Sequence, residues 1–518
     1  MLPFASRTRS TSIVGLILGA LAFSVHAQSK PPKTAKPPAL VPQRTGAPGE
    51  EENEKEDQVK RAQFRLLTLQ GKNKTYDPND LLKAKRHVAR MARSPAAWPM
   101  RQPSAGRFSF APLAANIQPA GWTSLGPGNI GGRTRSIVTH PTDPNILYAG
   151  AVGGGVWKSV NAGASWQPLN DFMTSIAVST LVMDPTNPNI LYAGTGEGYP
   201  GDGLRGAGIF KTTNAGVTWT QLASTASSTF HYVNRLAIHP NNSQILLAAI
   251  REGLYRSTDG GATWTNRLQA NCDDVDFHPT NGALAVATCY GFSSQALWSA
   301  DGGLTWTPAG GTPVGFGRTE SAYSRSQPDI IYASSDQNQG ELYRSMDGGR
   351  TYELRNTGNS YLSGQGWYDN ALWVDPLDPN NLMLGGVGMY VSRDAGQTLE
   401  SAWVGDLHAD QHVIVHAQNY SAGNRRVYVG NDGGIYRTDD FLNLGIHPFQ
   451  NFNTDYAVTQ FYGGNGHPTV NLVLGGTQDN GTPRYAGARN AWLKAAGGDG
   501  GMVAVDPRVG ANGVVTVY

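Results

Sequence analysis

The stretch Gly253 to Trp264, GLYRSTDGGATW, constrains the fold more than any other part of the chain. Leu254 and Tyr255 open an extended run, Asp259-Gly260-Gly261 reads as a tight turn, and Thr263 and Trp264 begin a return strand. The phrase recurs as VWKSVNAGASW ending at Trp166, IFKTTNAGVTW ending at Trp219, LWSADGGLTW ending at Trp306 and LYRSMDGGRTY ending at Tyr352. Weaker copies end at Leu399 and lie around Asp440. From Asn161 through Asn214, Asp259, Asp301, Asp347 and Asp394 to Asp440, the steps run from 42 to 53 residues. That is the period of a four-stranded propeller blade. A short Asp or Asn side chain accepts hydrogen bonds from the turn's own N–H groups. The glycine two residues on takes positive φ at little steric cost. The aromatic, as at Trp166, Trp219, Trp264 and Trp306, fills the gap between neighbouring blades. Asp259, Asp301, Asp347 and Asp394 are therefore read as structural, each consumed by its own turn.

Each unit repeats one order. A first apolar strand ends in His-Pro or Asp-Pro, as in SIVTHPTDPN, LVMDPTNPN, LAIHPNNSQ, VDFHPTNG and LWVDPLDPN, where proline forces a turn. A second strand follows, as in ILYAG at 146–150 and 190–194, IIYAS at 330–334 and LVLGG at 472–476. A variable loop then leads into the hairpin that supplies the last two strands. Eight units are legible; a ninth begins at Met502 to Pro507, and the sequence given stops inside a strand at Tyr518. Either the repeat array continues, or the last strand closes the ring on the first blade. The expected fold is all-β: a β-propeller of seven or more four-stranded blades, as one ring or one ring plus part of a second.

Residues 1–27 read as an export signal. Arg7 and Arg9 form the basic region, Ile13 to Val25 the apolar region, and Val25-His26-Ala27 a small-residue cleavage site, with cleavage after Ala27. The apolar run is shorter than the ~20 residues a membrane span needs, so a secreted or periplasmic protein with no span after cleavage is expected. Residues 28–50 are a Pro/Lys-rich linker, 51–118 a charged, partly helical extension, and 119–518 the propeller. A formal net charge of +2 without a basic patch in the repeats argues against a nucleic-acid partner. Cys272 and Cys289 flank FHPTNGALAV; counting outward from the turn near Thr280-Asn281 sets them opposite each other, as a disulfide in an oxidising compartment or as two buried thiols.

In a propeller the loops between second and third strands emerge on one face beside the central channel, the natural place for a ligand. The longest, TGEGYPGDGLRGAG at 195–208, carries Glu197, Tyr199, Asp202 and Arg205. Later loops hold Asp432 in GNDGG and Asp479 in GGTQDNG, and Asp499 stands in GGDGG. Two carboxyl groups across a channel, one neutral and one ionised, are the minimum for glycoside hydrolysis; Glu197, Asp202, Asp432, Asp479 and Asp499 are the candidates. In DLHADQHVIVH, His408, Asp410 and His412 alternate onto one face. Read as a polar cluster lining a wet channel, they need no metal, and no cofactor is expected. Trp367 offers an aromatic platform for a sugar ring.

The phrase Ser-x-Asp-x-Gly-x-Thr-Trp, met at Ser257 to Trp264, Ser299 to Trp306 and Ser345 to Tyr352, resembles the Asp-box of sialidase-type propellers. The repeated HPTDPNILYAG and KSVNAGASW units and the GNDGGIYRT run are similar to secreted glycosyl-hydrolase and sortilin-like propellers, including the tandem-propeller xyloglucan-cleaving glycosidases. That resemblance implies one catalytic Asp in a Gly-Asp loop, matched by Gly498-Asp499. It implies another just before Gly-Gly in the first blade, where this chain has Ala151-Val152-Gly153-Gly154-Gly155 and no carboxylate, so Asp499 would pair with Glu197 or Asp202 from the neighbouring blade. No Phe-Arg-Ile-Pro motif precedes the first blade, which sets sialidases aside. The resemblance implies an exported propeller binding a polysaccharide or protein ligand on its loop face. An endo-glycosidase and an assembly or adhesion module are the alternatives.

Overall fold

The computed structural model describes Lys83 and residues 123–169, 177–199, 203–290, 295–311, 317–509 and 514–518. Two compact units divide the chain, Met1–Gly46 and Ala47–Tyr518. The first lies outside the described residues, as do the expected signal and linker and, Lys83 apart, the extension to 118. Among the described residues no helix is long and apolar enough to cross a membrane.

The repeat period becomes architecture directly. The described residues form eight four-stranded antiparallel sheets and one two-stranded sheet. Each four-stranded sheet takes four consecutive strands in simple order, because each connection is a short turn or loop and an antiparallel neighbour needs no crossover. The first strands are Thr134–Thr139, Val178–Met183, Val233–Ile238, Cys272–Phe277, Thr319–Tyr323, Ala371–Val374 and Gln411–His416, which we number blades 1 to 7. Each lies against the next, and that of blade 7 lies against that of blade 1. The result is a closed seven-bladed ring with the first strands innermost.

Between blades the second and third strands bury their apolar alternate residues. Seven hydrophobic clusters result, one at each seam. Trp166 and Trp219 belong to the seams that their blades make with the preceding blade, Trp264 and Trp306 pack against theirs in the same way, and Tyr352 takes the same place in blade 5. The turn that presents each aromatic is built as its sequence requires. In blade 3, Ser257 Oγ donates to Asp259 Oδ1 at 2.8 Å and accepts from Gly261 N at 2.9 Å. Asp259 Oδ1 accepts from Thr263 N at 2.8 Å, and Oδ2 from Thr263 Oγ1 at 2.6 Å. Gly261 holds φ +88°, a conformation costly for any other residue. The same bonds recur around Asp301, Asp347 and Asp394. Asn161 and Asn214 reproduce them with an amide oxygen. At Asp440 the turn departs from the pattern, since Phe441 stands where the run toward glycine begins.

The ring is not closed by a strand borrowed from the far end of the chain. Val515–Val517 pairs with Val505–Val509, not with blade 1. Instead the segment leaving blade 7 crosses blade 1. Phe452 O accepts Trp166 Nε1–H at 2.9 Å, Thr454 O accepts Trp166 N–H at 3.1 Å, and the Tyr456 hydroxyl lies 3.1 Å from Thr134 Oγ1. Gly131 and Gly132 pass under this strap; a Cβ would meet Gly433 O and Val458 O at 2.5 Å. The chain then forms an eighth sheet beginning with Phe461–Gly466, outside the ring of seven. Its Trp492 Nε1 donates to Leu125 O at 2.6 Å, joining it to the approach to blade 1. Cys272 and Cys289 stand opposite each other in blade 4, joined as a disulfide.

Candidate functional site

The upper ends of the first strands carry charge where the rest of each strand is apolar. Arg133 lies just before the first strand of blade 1, and Arg135 sits where that strand's pairing register shifts, a bulge that re-aims its side chain. Glu197, in the second-to-third-strand loop of blade 2, meets both. Arg133 Nη1 donates to Glu197 Oε2 at 2.9 Å and Arg135 Nε to Oε1 at 2.6 Å. Arg133 Nε also donates to Asp432 Oδ1 at 3.3 Å, from the loop of blade 7. Arg135 Nη1 reaches Tyr368 O at 2.8 Å and His412 Nδ1 at 2.9 Å. An arginine has only donors, so His412 Nδ1 accepts; its Nε2 carries the hydrogen and donates to Asp432 Oδ1 at 2.6 Å. The Tyr368 hydroxyl donates to Asp432 Oδ2.

A second half of the network sits across the channel. Arg318 donates to Glu320 Oε1 through Nε at 3.0 Å and Nη2 at 2.7 Å, and Arg235 Nε to Asp274 Oδ1 at 2.8 Å. Arg235 also pairs with Glu320. Tyr199 links the halves: its ring centre is 3.8 Å from the Arg318 guanidinium and 5.0 Å from that of Arg135.

These charges are buried, so their ionisation follows from their partners. Burial opposes the Arg135 charge, but Glu197 more than offsets it and holds the group above its ordinary value. Burial likewise opposes the Asp432 charge; Arg133 and His412 outweigh it and hold the carboxylate well below the usual range. Burial and the Arg135 charge push His412 down to about 3, so the His412–Asp432 contact joins a neutral imidazole to a carboxylate rather than two ions. Burial, and then the Asp432 charge, push Asp479 well above the carboxylate range. Glu197 is 0 % exposed with both oxygens on guanidinium groups.

The residues singled out from sequence thus divide. Glu197, Tyr199, His412 and Asp432 come together inside the channel. Asp479 and Asp410 lie half-buried at its mouth with His408, whose Nε2 is 3.1 Å from Asp479 O. Asp499 is exposed in the eighth sheet, where its Oδ1 accepts the Asp479 N–H at 2.8 Å. Trp367 is buried with its ring centre 5.6 Å from that of Tyr368, so it offers no open platform. Arg205 is exposed, and Asp202 lies outside the described residues. Among the described residues no group of three or more His, Cys, Asp or Glu is placed to hold a metal. The residues that sequence reading passed over are Arg133, Arg135, Arg235, Asp274, Arg318, Glu320 and Asp369. One signal was available: Gly132-Arg133-Thr134-Arg135 and Gly317-Arg318-Thr319-Glu320 stand at the same point of their repeats.

The Sortilin-Vps10 family (sortilin, neurotensin receptor 3) matches residues 154–287. A xyloglucanase of Paenibacillus sp. is 25% identical over 372 residues, 62% of this chain and 36% of that protein. Xyloglucanase Xgh74A of Acetivibrio thermocellus is 28% identical over 253 residues, 46% of this chain and 27% of that protein. The chain thus spans about a third of the length of these curated relatives. Among solved structures, the GH74 enzyme of Niastella koreensis superposes with a TM-score of 0.54 at 20% identity, covering 73% of this chain and 61% of that one. The chain is a β-propeller with a sortilin-like match over residues 154–287 and distant homology to the GH74 xyloglucanases.

Proposed function

We propose that this is an exported propeller that binds a glycan on the face where its second-to-third-strand loops emerge, without hydrolysing it through the channel acids. One observation carries the reading: Glu197 and Asp432, two of the acids that line the channel, are held by Arg133 and Arg135 and by hydrogen bonds from Tyr368 and His412, as Glu320 and Asp274 are held by Arg318 and Arg235. A general acid must hold a proton near working pH, and a nucleophile must reach substrate. Neither condition is met there. What stays accessible is the mouth, with Asp410 and Asp479 half-buried and Asp499 exposed. The distant homology to xyloglucanases supports a polysaccharide over a protein partner.

A second reading, an endo-glycosidase, is favoured by the same mouth. Asp479 is pushed well above the usual carboxylate range and donates its backbone N–H to Asp499, so two carboxyl groups in unlike surroundings stand on adjoining loops. Affinity electrophoresis against xyloglucan, mixed-linkage glucan, xylan and chitosan, with a reducing-end assay on the same samples, separates the readings. Retarded migration without new reducing ends is the expected result. Reducing ends released by the wild type and lost in Asp499→Ala would establish the hydrolase. No retardation on any polysaccharide would leave a protein ligand as the reading to pursue.

A further inference from the structure

One position recurs where the first strand of blades 1 to 6 ends. Its backbone N–H donates to the carbonyl six residues on, at 2.9–3.0 Å, and so closes the turn into the second strand. The residues there are His140, Asp184, His239, His278, Ser324 and Asp375 in turn. Each also sets a side-chain acceptor against N–H groups inside the turn. His278 Nδ1 accepts from Thr280 N at 3.2 Å and Asn281 N at 3.0 Å, His239 Nδ1 from Asn241 N at 3.1 Å, and His140 Nδ1 from Asp143 N at 3.1 Å. Asp184 Oδ1 accepts from Thr186 N at 2.8 Å, Asp375 Oδ1 from Leu377 N at 2.9 Å, and Ser324 Oγ from Gln327 N at 3.2 Å. Imidazole, carboxylate and hydroxyl do the same work. Of the three, imidazole alone changes from acceptor to donor in mildly acid water.

Two of these histidines are also wedged between blades. The His239 ring centre lies 5.2 Å from that of Phe277 in blade 4, and a Cβ on Gly282 of blade 4 would meet its Nε2 at 1.8 Å, so a glycine there admits the ring. The His278 ring centre lies 5.6 Å from that of Tyr323 in blade 5. The charge acting on His239 is that of Arg256, from the third strand of its own blade and near Arg267 and Asp301; Phe277 and Gly282, which meet it from blade 4, carry none, and His278 follows Phe277 in the chain. Asp329 and Tyr323 meet His278 from blade 5, and Tyr323 stays neutral because burial pushes it well above its ordinary value. Burial, then the Arg256 charge, hold His239 below its ordinary value. Burial holds His278 below it too, against the attraction of Asp329.

We propose that blade 4 is held by an acid-sensitive clasp: when His239 and His278 take up a proton, their turns open and the seams of blade 4 with blades 3 and 5 loosen on the face opposite the second-to-third-strand loops, while the turns of blades 2, 5 and 6 stay shut. A protonated Nδ1 aims a hydrogen at the N–H groups it formerly received, so those donors lose their acceptor. On the blade 3 side Arg256 also repels the new charge. On the blade 5 side Asp329 attracts it, so the seam between blades 3 and 4 gives first. The clasp is a property of the ring and does not depend on the glycan-binding reading.

The sign follows from where each state binds its proton. An open turn exposes its histidine, which is protonated from about 6.5 downward; the closed turn refuses the proton until a lower pH. Closure is therefore complete above 6.5 and is lost as pH falls below it. Asp184 behaves otherwise. Burial opposes its charge, but the bonds from Thr186 and Asn187 outweigh it and hold the carboxyl below the ordinary 3.8, so its turn keeps an acceptor throughout that range.

The test is amide exchange of the full chain, read by mass spectrometry from pH 7 to 5 and corrected for the intrinsic exchange rate at each pH. Opening of 239–245 and 278–284 is expected to rise by up to about tenfold per pH unit below 6.5. The turns at 184–190, 324–330 and 375–381 should keep their protection. His239→Asp and His278→Asp install the acceptor that blade 2 uses and should abolish the rise, each in its own turn. The slope with pH is compared rather than the level of protection, so lost ring packing does not imitate the effect. Asp184→His supplies the converse should either variant melt early: acid sensitivity should then appear in 184–190. A rise shared equally by all five turns would overturn the clasp in favour of acid loosening of the whole ring. A rise confined to the two turns but retained in the aspartate variants would overturn the histidines as its cause. Flat protection in every turn from pH 7 to 5 would overturn the inference outright.

Discussion

A histidine held between a guanidinium and a carboxylate normally gains a proton; His412 does not, because burial and the adjoining Arg135 charge outweigh Asp432. That reversal has a measurable sign. The unfolded chain binds a proton at His412 below about 6.5, whereas the folded chain refuses it until about 3. Between those values the unfolded state holds more protons, so stability falls as pH drops through the window, by about 1.4 kcal/mol per pH unit at its steepest. His416, pushed down to about 4 by burial and the Arg325 charge, adds a parallel slope, so the informative quantity is a difference. His412→Gln keeps an acceptor for Arg135 and a donor for Asp432 but cannot titrate. Denaturant unfolding from pH 7 to 4 should give a shallower loss in the variant. Identical slopes would mean that His412 is already protonated in the folded chain.

At the scale of the element, the Asp-box hairpin behaves as a self-contained device. Each of its bonds spans four residues or fewer, so its geometry is settled by the phrase that encodes it. Burial is the largest single influence on Asp301 and pushes it up, but the bonds from Thr305, Ser299 and the neighbouring N–H groups together outweigh it and hold the carboxyl down to about 2. Its contribution is complete above the unfolded value of 3.8 and is lost as pH falls toward about 2. Asp301→Ala should cost about 1 kcal/mol at pH 7, the usual cost of deleting a capping side chain, and little at pH 2; thermal melts at both values check it. An equal cost at both would assign the effect to packing. This locality explains what the sequence discloses. The blades, their order and the seam aromatics are written in contiguous phrases. The channel is not, because Arg133 finds Asp432 299 residues away, and nothing in either local phrase announces the other. Glu197 was recognisable as a loop acid beside the channel; that it would be locked by two arginines depended on Gly132-Arg133-Thr134-Arg135 in the preceding blade. Asp499 was a candidate from its Gly-rich loop and from the resemblance, and its exposed place in the eighth sheet, with its carboxylate on the Asp479 N–H, follows from a sheet outside the ring.

At the scale of the whole molecule, the ring is held by seams rather than by a shared strand. Every blade of the seven is made from one contiguous segment, so no backbone ladder crosses from blade 7 to blade 1. That seam relies on its own cluster, with Trp166, Tyr428, Ile435 and Tyr456 at its centre, and on the strap from Phe452 to Thr459. Trp166 bonds the strap twice and packs 5.4 Å from Tyr456. Trp264 occupies the equivalent place in blade 3 but sits in a seam whose two blades are also joined by continuous chain. Truncating either indole should cost about 3–5 kcal/mol by lost burial and the cavity left behind. The distribution of that loss should differ. Trp166→Ala opens the one seam that covalent continuity bridges only through the strap, so amide exchange should accelerate jointly in Thr134–Thr139 and Gln411–His416 at denaturant concentrations where blade 4 stays protected. Trp264→Ala should leave exchange cooperative around the ring. Uniform acceleration in both variants would show that the strap adds nothing particular to closure and that all seven seams open as one unit.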